Sequence, residues 1–469
     1  MKSHLLWDYA GRFAGTIIQF IISVILTRLL SPSDYGLVGI AMAINGIASI
    51  FINLGFSSYI IQTEKPSKET LSSIFWLNIF LGLVLYIGIS ASSSSVATFY
   101  NIPELKGILF WTALTLIINL TGSVSAALLM KNMRFKEINI RNVFIAILSG
   151  ILGIIMAYRG FGVWALVAQS IVSAALTSAA NFILAKWQPI LFFSIESLRH
   201  SFKFGIFLFL SGLMEGIYSR LDVFLIGKVF QTQELGYYTR AQSLDGMIRN
   251  LSSGSLLSVL FPAFAQIKTD DKKVKELYFT YFELISFVFC LMAGFFYIAA
   301  VPLYTLLFGS RWYTSAIYFQ LLILAGFAYP LSSLMLTILE ARGNSKVFFR
   351  VEVLKKILFF PTYVIAYFFG IAWYLKSFLV ACVIGTGLNL IFLNKEIHVG
   401  YVQSFRILSK YLLTGLVLGI FLYAVLPAQG TLIGASFGCF ILVSFYITFH
   451  YFTHSPALQM ILKQFNKAK

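Results

Sequence analysis

The apolar positions of this chain gather into long runs separated by short polar gaps. Fourteen runs can be read, at 8–30, 36–60, 72–96, 107–130, 139–158, 161–185, 203–227, 236–262, 279–305, 314–340, 353–369, 374–393, 407–426 and 431–453. Each approaches or exceeds the roughly 20 residues that an α-helix needs to cross hydrocarbon. A bilayer supplies no water to unpaired peptide groups, so segments of this kind are helical. The pattern predicts an all-α fold, a polytopic membrane bundle of about 14 transmembrane helices. No gap has room for a soluble domain.

The basic residues orient the bundle. Of 35 Lys and Arg, 26 lie in alternate gaps or about a turn inside the adjoining runs. The other gaps hold 6, namely Arg28, Lys106, Arg159, Lys228, Arg311 and Lys376, and 3 fall within runs. Lys and Arg accumulate in cytoplasmic loops, so both termini are expected in the cytoplasm of a multi-pass protein. The chain is 59% hydrophobic and only 11% charged. Such a balance excludes an ordinary soluble enzyme. Its charge of +17 sits beside membrane runs, so membrane lipids with anionic headgroups, and not nucleic acid, are the expected partner. The three cysteines all fall inside apolar runs, and the five histidines lack ligand spacing. No metal, cofactor or catalytic constellation is therefore predicted.

A repeat appears at an offset of 200 residues. Thr27 to Gly36 aligns with Gly227 to Gly236: a run end, a cation, two apolar residues, a short polar turn, an acid, then glycine. Run 1 thus pairs with 7 and run 2 with 8. The resulting division is an N-lobe of helices 1–6 at 1–187, a C-lobe of helices 7–12 at 188–396, and a C-terminal helix pair with its tail at 397–469. Six is even, so both pseudo-symmetric lobes enter the membrane in the same orientation, as in many secondary transporters. No Walker sequence is present, so transport would be passive or ion-coupled.

The polar residues inside runs are the candidate chemistry. Run 1 carries Arg12, Thr16, Gln19 and Ser23 on one helical stripe, and run 2 carries Asn45. Run 7 carries Glu215 and Asp222, seven residues apart on one predicted face, with Arg220 beside them. Run 8 carries Arg240, Gln242, Asp245, Arg249 and Asn250. A charge at mid-membrane costs about 2.5–3.5 kcal/mol, so these six ionisable groups of runs 7 and 8 would cost on the order of 15 kcal/mol facing lipid. They are expected to face protein or a water-filled cavity, whereas runs 13 and 14, almost free of such groups, are expected at the periphery. Plainer readings stand beside this one: Asp245 and Arg249, spaced i, i+4, can simply neutralise each other, Glu215 and Asp222 can be helix-packing groups, and Arg12 can snorkel to the headgroups.

Several segments resemble Wzx-type polysaccharide flippases. They are Leu26 to Gly36, Ile74-Phe75-Trp76-Leu77-Asn78, Met133-Arg134-Phe135-Lys136, Leu235-Gly236-Tyr237-Tyr238 and, most specifically, Gly160-Phe161-Gly162-Val163-Trp164-Ala165-Leu166-Val167. The resemblance is to the polysaccharide-transporter branch of the multidrug/oligosaccharidyl-lipid/polysaccharide superfamily, nearest its colanic-acid-exporter-like group. It extends through about run 12. It implies a two-lobe, V-shaped bundle in the bacterial inner membrane that passes an undecaprenyl-pyrophosphate-linked oligosaccharide outward by alternating access. It also admits a glycan polymerase as a partner, and by analogy a lipid-tail groove formed by the last two helices.

The residues suit such a cargo. Arg249, Arg12, Arg240 and Arg220 offer permanent charge and several donors to a pyrophosphate. Gln19, Asn45, Gln242 and Asn250 offer neutral groups to sugar hydroxyls. Asp222, Glu215 and Asp245 are the candidates for coupling to H+ or Na+. A drug or cation exporter of the same fold is the first alternative, and would favour carboxylates over arginines. A membrane-embedded glycan polymerase is the second, and would need a large outside loop or a surface acidic pair that this chain lacks.

Overall fold

The computed structural model describes residues 2–52, 56–64, 66–195, 213–426 and 431–467. The helices are α1 (Lys2–Leu29), α2 (Pro32–Ile52), α3 (Phe56–Gln62), α4 (Lys68–Tyr100), α5 (Leu105–Thr121), α6 (Ser123–Lys131), α7 (Phe135–Tyr158), α8 (Val163–Ala185), α9 (Leu221–Val229) and α10 (Thr232–Gln266). They continue as α11 (Asp271–Phe308), α12 (Tyr313–Gly326), α13 (Ala328–Ala341), α14 (Ser345–Phe369), α15 (Ile371–Ile397), α16 (Tyr401–Tyr411), α17 (Leu418–Val425), α18 (Leu432–Phe452) and α19 (Pro456–Lys467). Every predicted run is helical as far as the described residues reach. Among those residues nine helices, counting joined pieces, are long and apolar enough to cross a membrane, and α5 with α6 makes a tenth if that bent pair counts as one. Large side chains such as Phe80, Phe144, Ile183, Phe360 and Phe440 are more than half exposed, which a lipid surround accounts for and water would not.

The chain packs as two compact units, Met1–Thr239 and Arg240–Lys469. The boundary near residue 187 follows the repeat; the division by packing lies within α10, because α9 and the start of α10 pack against α2 in the first unit.

Single runs are interrupted at three places, and a fourth run changes helix type. Run 4 bends by 44° at Gly122. There a Cβ would lie 2.8 Å from the Ser178 backbone of α8. The Gly122 carbonyl exposed by the bend accepts from Asn181 at 3.3 Å, and Ser123 Oγ is met by Asn78 at 2.9 Å. Run 7 breaks at Ser219–Arg220, between helical residues 213–218 and α9. Run 10 breaks at Phe327, and run 13 carries a π-helical stretch over Leu412–Val417. Broken helices survive in a membrane where neighbouring side chains satisfy the freed peptide groups, and they recur where function resides.

Candidate functional site

In the first unit, α2 is the organising element. Ser31 caps it: its N–H and Oγ donate to the Asp34 carboxylate at 2.8 and 2.7 Å, and Asp34 N–H donates back to Ser31 Oγ at 3.2 Å. That reciprocal cap, with Pro32 at the first helical position, explains the polar turn. In the matching turn, Glu234 N–H donates to the Gln231 carbonyl at 3.0 Å. The two turns meet. A Cβ on Gly36 would lie 1.9 Å from the Thr232 carbonyl oxygen, and one on Gly236 would lie 1.7 Å from that of Pro32. The contact is reciprocal at the 200-residue offset, backbone against backbone, as only glycine permits.

Below this crossing α9 and the 213–218 segment run along α2. The Arg220 guanidinium lies against Gly46, where a Cβ would come within 2.4 Å of it. The neighbouring Asn45 is buried, and neither of its side-chain polar atoms has a hydrogen-bond partner among the described residues. Asp222 is buried and accepts from Tyr238 of α10 at 2.5 Å. Glu215 is exposed. The break at Ser219–Arg220 therefore separates two carboxylates expected on one continuous face: Asp222 is enclosed and hydrogen-bonded, Glu215 is not enclosed. Gln19 is exposed on α1, and the side chain of Arg12 lies outside the described residues.

In the second unit, Arg240 is buried, with its guanidinium carbon 4.4 Å from the centroid of Phe308. Asp245 and Arg249 form an ion pair at 2.5 Å; 2% of the Asp245 side chain is accessible, against 28% of Arg249. The carboxylate is therefore the enclosed partner and the arginine side chain the more accessible one, although Arg249 Nε is itself buried. Tyr329 stands on another side, 5.4 Å from the guanidinium carbon. Asp245 also faces the break in run 10, since a Cβ on Gly326 would sit 3.5 Å from its Oδ1. Past that break Ser332 and Thr386 share a hydrogen bond of 2.9 Å, and the Thr386 hydroxyl reaches the Ala328 carbonyl at 3.4 Å. One turn on, Asn389 is fully buried with no hydrogen-bond partner among the described residues. Tyr329, Thr386 and Asn389 escaped the sequence reading because each is an uncharged residue in an apolar run. Gln242 is half-buried on α10, and the side chain of Asn250 lies outside the described residues.

Runs 13 and 14 of the sequence, expected to be nearly free of polar chemistry, contribute to a cluster. Tyr411 donates to Glu283 of α11 at 2.5 Å and shares a 2.7 Å hydrogen bond with Ser455, while Tyr446 donates to the Phe287 carbonyl at 2.7 Å. His450 is wholly buried, paired through Nε2 with Thr414 at 3.0 Å. The rings of Tyr446, Tyr411, Phe449 and Phe287 surround it at 4.4–5.4 Å. The helices approach closely through Gly294, Gly415 and Gly419, as small residues allow. A Cβ on Gly415 would lie 2.8 Å from the Cys290 backbone.

Three of the motif segments supply architecture through particular residues. Asn78 braces the Gly122 bend, Arg134 pairs with Glu137 and the Leu184 carbonyl, and Gly160 and Gly162 take positive φ of 81° and 54° to turn the chain into α8.

A model of the polysaccharide biosynthesis protein family matches residues 25–317. The chain is 23% identical over 306 residues to the succinoglycan biosynthesis transport protein ExoT of Rhizobium meliloti, covering 65% of this chain and 62% of that protein's length, so it spans less than two thirds of that relative. It is 23% identical over 350 residues to the lipopolysaccharide biosynthesis protein WzxC of Escherichia coli, covering 73% and 70%. Its fold is similar to that of the lipid II flippase MurJ in an inward closed conformation, at a TM-score of 0.73 with 15% identity over 95% of this chain and 99% of that one. The apolar helices, the interlocked repeat turns and the matched region, more than half of the chain, agree: this multi-pass membrane protein belongs to the polysaccharide biosynthesis protein family.

Proposed function

We propose that the protein carries a polyprenyl-pyrophosphate-linked oligosaccharide, the repeat unit of a polysaccharide, from the inner to the outer leaflet of the bacterial cytoplasmic membrane by alternating access. In this reading both termini are cytoplasmic, and the charge bias of the loops supports that orientation. The observation that carries the reading is Arg249, set deep in an apolar run, backed by buried Asp245 and still 28% accessible. A permanent cation with several donors, held in place on a part-accessible side chain, replaces part of the hydration a pyrophosphate loses on entering the membrane. An exporter of organic cations would be served by Asp245 standing open, yet Asp245 is the covered partner. The relatives' names, which speak of succinoglycan transport and of lipopolysaccharide biosynthesis, point the same way. Arg220 and Arg240 are further contacts for the anion, and Asp222 is the carboxylate best placed to bind a coupling ion.

The test is export of lipid-linked glycan by cells carrying Arg249→Gln and, separately, Arg249→Gln with Asp245→Asn. The single variant should lose export, and the double should stay inactive although no buried carboxylate is then left without its partner. Parental export by a normally inserted double variant would make Arg249 a packing residue and remove the basis for the assignment.

A further inference from the structure

We propose that the outside ends of α4, α5 and α8 form a pocket for one saccharide unit of the exported glycan, with Trp164 as its stacking platform. The inference rests on the transport reading above and places a second contact for the sugar portion away from the arginines. The cavity, of about 440 Å³, is lined by Ser90 and Ser93 of α4, Glu104, Lys106 and Phe110 at and within the start of α5, and Trp164 of α8. That volume lies in the range of about 300–1,000 Å³ usual for small-ligand sites.

The placing of Trp164 is built into the chain. Gly160 and Gly162, both at positive φ, turn the chain so that Trp164 falls in the first turn of α8. A Cβ on Gly107 would lie 3.3 Å from the indole, so the ring is seated against bare backbone of α5. Yet the residue stays 40% exposed. The most specific motif of the sequence thus ends in a fixed, accessible aromatic surface.

Ser90 and Ser93 lie beneath it, enclosed: Ser90 Oγ is shielded from solvent, and Ser93 Oγ donates to the Ser90 carbonyl at 2.6 Å. The groups with capacity to spare are at the rim. Glu104 and Lys106 are exposed, and neither forms an ion pair among the described residues. A sugar ring presents an apolar C–H face and a rim of hydroxyls. An indole, a carboxylate and an ammonium around one cavity match both. A tryptophan in the aromatic belt at the membrane surface needs no cavity and no glycine seat. A phospholipid headgroup is the competing occupant.

The experiment uses the full-length protein in cells that make the glycan, with photoreactive benzoylphenylalanine installed at Phe110 or, separately, at Gln19 on the proposed transport path. After irradiation, the mass of the modified peptide identifies what was captured. We expect saccharide-mass adducts at position 110, reduced about fivefold by Glu104→Gln, the effect of losing one hydrogen bond. Gly107→Ala, whose Cβ presses on the indole at 3.3 Å, should reduce them too. Phospholipid adducts at position 110, or saccharide adducts at 19 and none at 110, would overturn the pocket and leave the transport reading intact. Saccharide adducts at neither position would overturn both.

Discussion

Replacing Gly236 by alanine tests the reciprocal crossing of α2 and α10 directly. The added Cβ would start 1.7 Å from the Pro32 carbonyl oxygen, and real Cβ atoms essentially never come within 3.0 Å of such an atom, so the helices must part by at least the difference. No rotamer change relieves the clash, since both groups are backbone. Overpacking of this kind costs about 3 kcal/mol at the upper end of its usual range, and alanine returns about 1 kcal/mol of helix propensity, leaving a net loss of about 2 kcal/mol. For a unit of 239 residues, that corresponds to a fall of about 5 °C in melting temperature. The assay is thermal unfolding in detergent beside Gly246→Ala, a change on the same helix where a Cβ meets nothing within 4 Å. Gly246→Ala should be neutral or slightly stabilising. Gly36→Ala should resemble Gly236→Ala, and the double variant should lose much less than the sum, because one separation relieves both clashes. Equal melting of Gly236→Ala and Gly246→Ala, or additive losses in the double variant, would refute the backbone-to-backbone contact.

Three further outcomes are expected. Asp270 caps α11 outside the membrane, accepting from Lys273 N–H at 3.1 Å, and its hydrogen bonds to Lys273 hold its carboxyl below the usual carboxylate range. Its stabilising effect is therefore present at neutral pH and lost as pH falls through that lowered value, so the difference in melting between the parent and Asp270→Asn should vanish on strong acidification. Tyr411→Phe should destabilise by about 1.5–3 kcal/mol by removing the donor to Glu283. His450→Phe should be near neutral, because it trades one hydrogen bond for relief of a buried Nδ1 that has no partner among the described residues; a larger loss for His450→Phe than for Tyr411→Phe in chemical denaturation would contradict this. Reporter tags after residue 270 and at the C-terminus should read as cytoplasmic and tags near 102 and 232 as periplasmic, and a periplasmic C-terminus would remove the even helix count on which the two-lobe repeat depends.

Much of the fold was legible because a bilayer imposes one rule on every span. Hydropathy located the helices, though not their ends: α11 runs from Asp271 to Phe308, beyond the 279–305 read from the sequence, since helical hydrogen bonding continues past the hydrocarbon. The repeat was visible because its capping residues and glycines have local causes. The breaks at Gly122, Ser219–Arg220 and Phe327 were not, because each depends on what a neighbouring helix offers, such as Asn181 or Thr386. The candidate residues of α9 and α10 stood out by charge, but whether each is enclosed or accessible is a property of packing. The cluster at His450 was hidden for the same reason. Glu283, Tyr411 and the Tyr446–Ser455 stretch are far apart in the chain, and each dilutes into an apolar or unremarkable stretch.

The interlocked turns also bear on how a duplicated segment can change with time. In a symmetric dimer of separate chains, any alteration at such a crossing appears twice; within one chain it appears once, so the copies are free to drift apart. They have drifted where side chains do the work: Ser31-Pro32-Ser33-Asp34 in one copy answers to Gln231-Thr232-Gln233-Glu234 in the other. They have not drifted at Gly36 and Gly236, where each copy is pressed against the other's main chain and has no side chain to adjust. The positions at which the two segments stay identical are thus the glycines where two backbones touch, where no side chain is available to absorb a change.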